Sequence, residues 1–124
     1  MRSIKILSVK IYGIKNCQTM KKAMTYLEAK GIAFDFHDYK KQGIDAATLS
    51  EWLTQKPWDE LINKRGTTWR QLTDAEKADI GLDNNHDKAI QLMIAKPSLI
   101  KRPALMVDDK LYLGFDEALY QSIF

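Results

Sequence analysis

Between residues 4 and 39 the apolar pattern changes period twice, and that double change restricts the chain more than any other feature. Ile4 to Ile14 is rich in β-branched residues, and Val9, Ile11 and Gly13 alternate with Ser8, Lys10 and Tyr12. Alternation of period two predicts a strand over roughly the second half of that stretch. Gly13 to Asn16 breaks the pattern. From Cys17 onward Met20, Ala23, Met24 and Leu27 recur at three- and four-residue steps, with lysines and Glu28 on the other face. That is an amphipathic helix, and Gly31 is its natural stop. Ile32 to Tyr39 then alternates Phe34 and Phe36 against Asp35 and His37, which predicts a second strand. Two strands joined through one helix form a parallel βαβ crossover.

The middle of the chain has no strand pattern. Asp45 is placed to cap a helix carrying Leu49, Trp52 and Leu53, which Pro57 ends. Trp58, Leu61 and Ile62 suggest a short helical turn before a loop at Arg65-Gly66-Thr67-Thr68. Thr73-Asp74-Ala75-Glu76 has the form of a capping box and opens a helix that Gly81 closes. A further helix runs from about Asn85, with Ala89, Leu92 and Met93 inward, as far as Pro97. The stretch from about 43 to 97 therefore reads as a helical insert beside the βαβ unit. Strands return at Ala104 to Val107 and Leu111 to Leu113, separated by the hairpin signal Asp108-Asp109-Lys110. Gly114 and Asp116 open a last helix with Phe115, Leu119 and Ile123 on one side. The order βαβ, helical insert, ββα predicts one α/β domain with a mixed sheet.

A chain of 124 residues has room for one such domain, and no repeat or linker divides it. Its net charge of +3 comes without a basic run or a nucleic-acid reading motif, so nucleic acid is not the expected partner. No apolar segment approaches the ~20 residues that cross a bilayer, which excludes a membrane span. Arg2, Lys5 and Lys10 interrupt the first apolar stretch, so no signal peptide is expected. The single cysteine excludes an internal disulfide framework and a multi-cysteine metal site, and points to a reducing cytoplasm. His37 and His86 lack the partners a metal would need and read as surface residues. Trp52, Trp58 and Trp69 read as the core of the insert. Asp38, Asp108 and Asp109 show no general acid–base pairing.

Cys17 stands at the predicted start of the first helix. Free backbone N–H groups and the positive end of the helix dipole favour a thiolate at such a place, and the thiolate is the nucleophile. Lys15, Lys21 and Lys22 are close in sequence, and Gln18 and Thr19 add no opposing negative charge. Position alone leaves a reactive and a structural cysteine equally open. A second clue is Lys101-Arg102-Pro103: a proline belongs at the very start or the edge of a strand. In this topology that start lies beside the end of the first strand, so Arg102 is expected near Cys17, in the crevice where α/β sheets bind ligands.

Four blocks together resemble the ArsC/Spx family, and within it the YffB-like branch. They are Tyr12-Gly13-Ile14-Lys15-Asn16-Cys17-Gln18-Thr19-Met20-Lys21-Lys22-Ala23, His37-Asp38-Tyr39-Lys40-Lys41, Asn63-Lys64-Arg65-Gly66-Thr67-Thr68-Trp69-Arg70 and Pro97-Ser98-Leu99-Ile100-Lys101-Arg102-Pro103. The resemblance implies a thioredoxin-like fold with an inserted helical subdomain. It also implies that Cys17 is the reactive thiol, that Arg65 and Arg102 bind an anion, and that Pro103 follows a cis bond beside the site.

The sequence departs from that family at telling places. Its arsenate reductases hold the oxyanion with three arginines, and here Gly114 stands where the third is expected. Gly13-Ile14-Lys15 replaces the histidine-asparagine-proline lead-in to the cysteine. Spx-type regulators carry a C-x-x-C switch, whereas Met20 stands at the second position here. A redox cycle through Cys17 then needs an outside thiol. The expected function is a glutathione-dependent thiol-disulfide reductase, with glutathione or a glutaredoxin-like donor as co-substrate and no bound cofactor. Lys15, Asn16, Arg65 and Arg102 are the expected holders of glutathione's carboxylates or of a small oxyanion. Arsenate reduction is the second reading, and Spx-like binding to the transcription machinery is a third, of a different class.

Overall fold

The structure is a computed structural model and describes residues 7–82 and 86–124. The chain enters along β1 (Val9–Gly13), passes through α1 (Gln18–Ala29) and returns on β2 (Asp35–Asp38). Five helices follow: α2 (Tyr39–Gln42), α3 (Ala46–Gln55), α4 (Trp58–Leu61), α5 (Thr67–Arg70) and α6 (Asp74–Asp79). Helix α7 (Asp87–Ala95) and a 3₁₀ turn (Pro97–Leu99) lead to the hairpin β3 (Ala104–Val107) and β4 (Lys110–Leu113). Helix α8 (Glu117–Ile123) ends the chain. The sheet order is β2-β1-β3-β4, with β1 parallel to β2 and antiparallel to β3. This is the mixed sheet of the expected thioredoxin-like fold.

Local chemistry explains many of the boundaries. Helix α1 ends in a Schellman arrangement, in which Ile32 N–H donates to Leu27 O at 2.9 Å and Gly31 N–H to Glu28 O at 3.0 Å. Gly31 sits at φ 69°, where a side chain would be strained. The Asp45 carboxylate accepts from Thr48 N–H at 2.8 Å and starts α3. Thr73 and Glu76 close a reciprocal capping box on α6. One boundary differs from expectation. Asp38 accepts from Lys40 N–H, so β2 stops at Asp38 and Tyr39 opens α2 instead of extending the strand.

Both faces of the sheet are covered, and the strand alternation distributes side chains between two cores. Val9 and Ile11 of β1, with Leu105 and Val107 of β3, pack on α1 and α8 through Met20, Ala23, Tyr26, Leu27 and Tyr120. Tyr12, Ala104 and Leu111 point the other way, into the helical layer of Leu49, Trp52, Leu61, Ile90 and Met93. Tyr12, on the polar phase of the sequence pattern, is therefore buried. Its ring meets Trp52 edge to face at 4.8 Å, a pairing worth about 0.5–1.5 kcal/mol beyond burial.

The tryptophans differ among themselves. Trp52 is core, as expected, but Trp58 and Trp69 are only partly buried, with Lys64 Nζ 4.8 and 5.9 Å from their ring centres. His37 is likewise half-buried, and not a plain surface residue: its Nε2 lies 2.6 Å from Gly43 O and its ring stacks on Tyr12 at 4.7 Å. In the last helix the fully buried residue is Tyr120, ringed by partly buried Phe115, Leu119 and Ile123. Among the described residues, no helix is long and apolar enough to cross a membrane, and no cluster of three or more His, Cys, Asp or Glu could hold a metal.

Candidate functional site

Cys17 is the N-cap of α1, in extended conformation (φ −124°, ψ 127°). Its carbonyl accepts from Lys21 N–H at 3.0 Å, while its side chain caps nothing. The thiol is half-buried and free, at the end of a twelve-residue helix with no acid in its first turn. Met20 is fully buried in the core below. Gly13 makes that seat possible, because a β-carbon there would collide with the Met20 sulfur.

The cleft in front of Cys17 has a volume of about 390 Å³. Three separate stretches of chain build its far wall. The first two are cross-linked: Ile62 bridges Ile100, Asn63 N–H donates to Leu99 O and Lys101 N–H to Leu61 O, both at 2.8 Å. This pairing presents Asn63, Lys101 and Arg102 to the cleft. The third stretch leaves β4, where Gly114 N–H donates to Pro103 O at 2.9 Å, so Gly114, Phe115 and Asp116 close the rim. The Arg102–Pro103 peptide bond is cis, and Pro103 is buried beneath the wall.

Of the residues singled out from sequence, Cys17 and Arg102 line one cleft. Lys15 and Asn16 are exposed in the turn before Cys17 and do not line it. Arg65 is exposed and also lies off the lining; its amide donates to Asn63 Oδ1 at 3.1 Å and its carbonyl accepts from Arg70 Nη2 at 2.8 Å. Asn63, Lys101 and Asp116 line the cleft but were not anticipated there. Lys101 was readable as the immediate neighbour of Arg102, and Asn63 stood at the head of one recognisable block.

The charge of the cleft is uneven. Among the described residues Asp116 is the only acid lining it, and its carboxylate is engaged with Leu119 N–H at 2.9 Å as the cap of α8. Behind the wall, Tyr39 is buried with its hydroxyl lacking a hydrogen-bond partner among the described residues. Burial pushes that phenol far above its ordinary range, and Tyr12 adds to the effect while the Arg102 cation opposes it. Arg102 therefore has a neutral phenol near it and, among the described residues, no acid bonded to it.

The sequence profile of the ArsC family matches residues 12–123. The solved structure of the YffB protein is 46% identical, with a TM-score of 0.85 over 93% of this chain and 97% of that one. An arsenate reductase (ArsC) related protein from Brucella melitensis is 50% identical, with a TM-score of 0.72 over 93% and 92% of the two chains. An uncharacterised protein of Haemophilus influenzae is 42% identical over 118 residues, 94% of this chain and 98% of the relative.

Proposed function

This chain belongs to the ArsC family, and from the chemistry of its cleft we propose that it is a glutathione-dependent thiol-disulfide reductase acting through Cys17. One observation carries the reading. The nucleophile at the head of α1 is the only cysteine of the chain, and the residue three positions on, Met20, is a buried core side chain. A cycle of thiol–disulfide exchange needs a resolving thiol, so the second sulfur comes from outside the protein.

The exchange runs by attack of the Cys17 thiolate on one sulfur of a substrate disulfide. A Cys17–S–S–R bond forms, the original S–S bond breaks, and the other half leaves as a thiolate with the electron pair. Glutathione then attacks the Cys17 sulfur of the mixed disulfide, so that R leaves as a thiolate and a Cys17–glutathione disulfide forms. A second glutathione attacks its glutathione sulfur, which frees the Cys17 thiolate and releases glutathione disulfide. Two glutathione thiols are oxidised as one disulfide is reduced. Arg102 faces the cleft as a fixed charge that suits a carboxylate of the tripeptide. Such a cycle belongs in a reducing compartment such as the cytoplasm. Arsenate is served less well, because among the described residues a single guanidinium lines the cleft and Gly114 stands on its rim.

The test is intact-mass spectrometry of the reduced protein after incubation with glutathione disulfide. One glutathione adduct is expected, reversed by a small thiol and absent from Cys17→Ser. No adduct on the unaltered protein overturns the proposal, and arsenate turnover with a glutathione/glutaredoxin couple in its place assigns the cleft to the oxyanion.

A further inference from the structure

Three features of the cleft converge on a residue that the reading above leaves without a role. Lys101 lies on the lining, its backbone pinned by the bond to Leu61 O, yet its side chain is exposed. Neither the Lys101 ammonium nor the Arg102 guanidinium has an ion pair or hydrogen bond among the described residues. Opposite, Gly114 sits at φ +78°, and a β-carbon on it would lie 3.5 Å from Lys101 Cε. The lysine stem thus lies across the bare backbone of Gly114. Any larger residue at 114 would be strained by that positive φ, and its β-carbon would sit in ordinary contact with the lysine stem.

We infer that Lys101 is the specificity-determining cation of the cleft, held over Gly114 so that its ammonium and Arg102 together select an anionic disulfide partner for Cys17. This deepens the thiol-reductase reading and rests on it for the identity of the partner. The two cations differ in kind. Arg102 is half-buried and offers a planar fork, whereas a lysine is a compact point charge on a flexible stem. A fork and a swinging charge suit two carboxylates at the separated ends of a peptide. They suit a compact tetrahedral oxyanion less, since that is gripped best by several forks around one centre. Lys101 forms no bond in the exchange; it neutralises the ligand's charge while Cys17 attacks.

The experiment measures second-order rate constants for modification of Cys17 in the full chain. An anionic methanethiosulfonate (sulfonatoethyl) is compared with a cationic one (trimethylammonioethyl), and glutathione disulfide with neutral hydroxyethyl disulfide. Lys101→Gln is expected to lower the anionic-to-cationic ratio roughly five- to tenfold, the effect of removing one partly screened charge several ångströms away. The glutathione disulfide rate falls in parallel, and the neutral disulfide rate changes less than about twofold. Lys101→Arg keeps the wild-type ratio, and so does Lys88→Gln on distant α7. A ratio within about twofold of wild type in Lys101→Gln overturns the inference, as does equal slowing of all four reagents. If the ratio drops as expected but glutathione disulfide leaves no adduct on wild type, the cation role stands and the glutathione reading falls.

Discussion

Removing the hydroxyl of Tyr120 is expected to make the protein more stable. Tyr120 is fully buried, and its ring is held by Phe115 at 4.7 Å and by Tyr26 at 5.7 Å, both edge on. Those contacts survive in Tyr120→Phe. What disappears is a buried hydroxyl with no hydrogen-bond partner among the described residues, whose desolvation costs about 1–3 kcal/mol. The small void left behind returns part of that, so a net gain of about 0.5–1 kcal/mol is expected at neutral pH. For a chain of this length the unfolding entropy near the transition is about 0.26 kcal/mol/K, so the melting temperature rises by roughly 2–4 °C.

The same group sets a second signature in alkali. Burial holds the Tyr120 phenol above the ordinary value of 10.0, and Tyr39 likewise. Above pH ~10 the unfolded chain releases these protons while the folded chain keeps them. The unfolded state then binds fewer protons, so stability falls as pH rises, by about 1.4 kcal/mol per pH unit for each tyrosine. Urea unfolding at neutral pH and near pH ~11 reads both effects. Tyr120→Phe should lose only about half of the stability that the unaltered chain loses. A variant less stable by more than about 1 kcal/mol at neutral pH, with the alkaline slope unchanged, refutes the assignment of an unpartnered phenol.

Other outcomes follow from named contacts. Gly13→Ala drives a methyl into the Met20 sulfur and should cost about 1–3 kcal/mol in urea unfolding, while slowing adduct formation at Cys17 by shifting the start of α1. Pairing it with Met20→Ala should recover part of the rate, as coupled neighbours require; simple additivity contradicts the contact. Asp45→Asn keeps a competent cap but loses the pH response. The hydrogen bonds with Thr48 hold the Asp45 carboxyl below its ordinary 3.8, so its charge contributes stability above that value and loses it as the pH falls through the lower folded value. The two proteins should therefore differ least in acid, and a gap that widens there argues against the cap.

The elements that local chemistry decides were legible from sequence, and those decided by distant parts of the chain were not. Gly31, Asp45 and Thr73 announce their boundaries because each cap bonds to residues within a few positions. Val9 and Ile11 announce a buried face by alternation. Tyr12 gave no such signal, because its burial depends on a helical layer supplied by Trp52 and its neighbours forty residues away. The buried Tyr120 was hidden for the same reason, among partly buried Phe115 and Leu119 that share its helix end. In the site, Cys17 and Arg102 were readable as one pair because the βαβ-then-ββα order sets the two strand ends together. The place of Asn63 and Lys101 rests on the isolated bridge between Ile62 and Ile100, which no local pattern encodes. Arg65 shows the converse, since only Lys64 separates it from Asn63, yet the turn carries it off the lining.

The central strand β1 has a consequence for how the site is born. It pairs on one side with β2, close behind it in the chain, and on the other with β3, where Val9 meets Val107. During synthesis the thiol of Cys17 and its helix therefore emerge long before the cation wall at Lys101 and Arg102. On the proposed roles, the nucleophile is made early and its selectivity late. Closing that long loop is a slow, entropically costly step relative to forming α1. On the same proposal, Cys17 is expected to meet charged and neutral disulfides alike until β3 docks. Discrimination between anionic and cationic thiol reagents thus becomes a clock for the arrival of the C-terminal hairpin, read through a chain that has only one sulfhydryl to label.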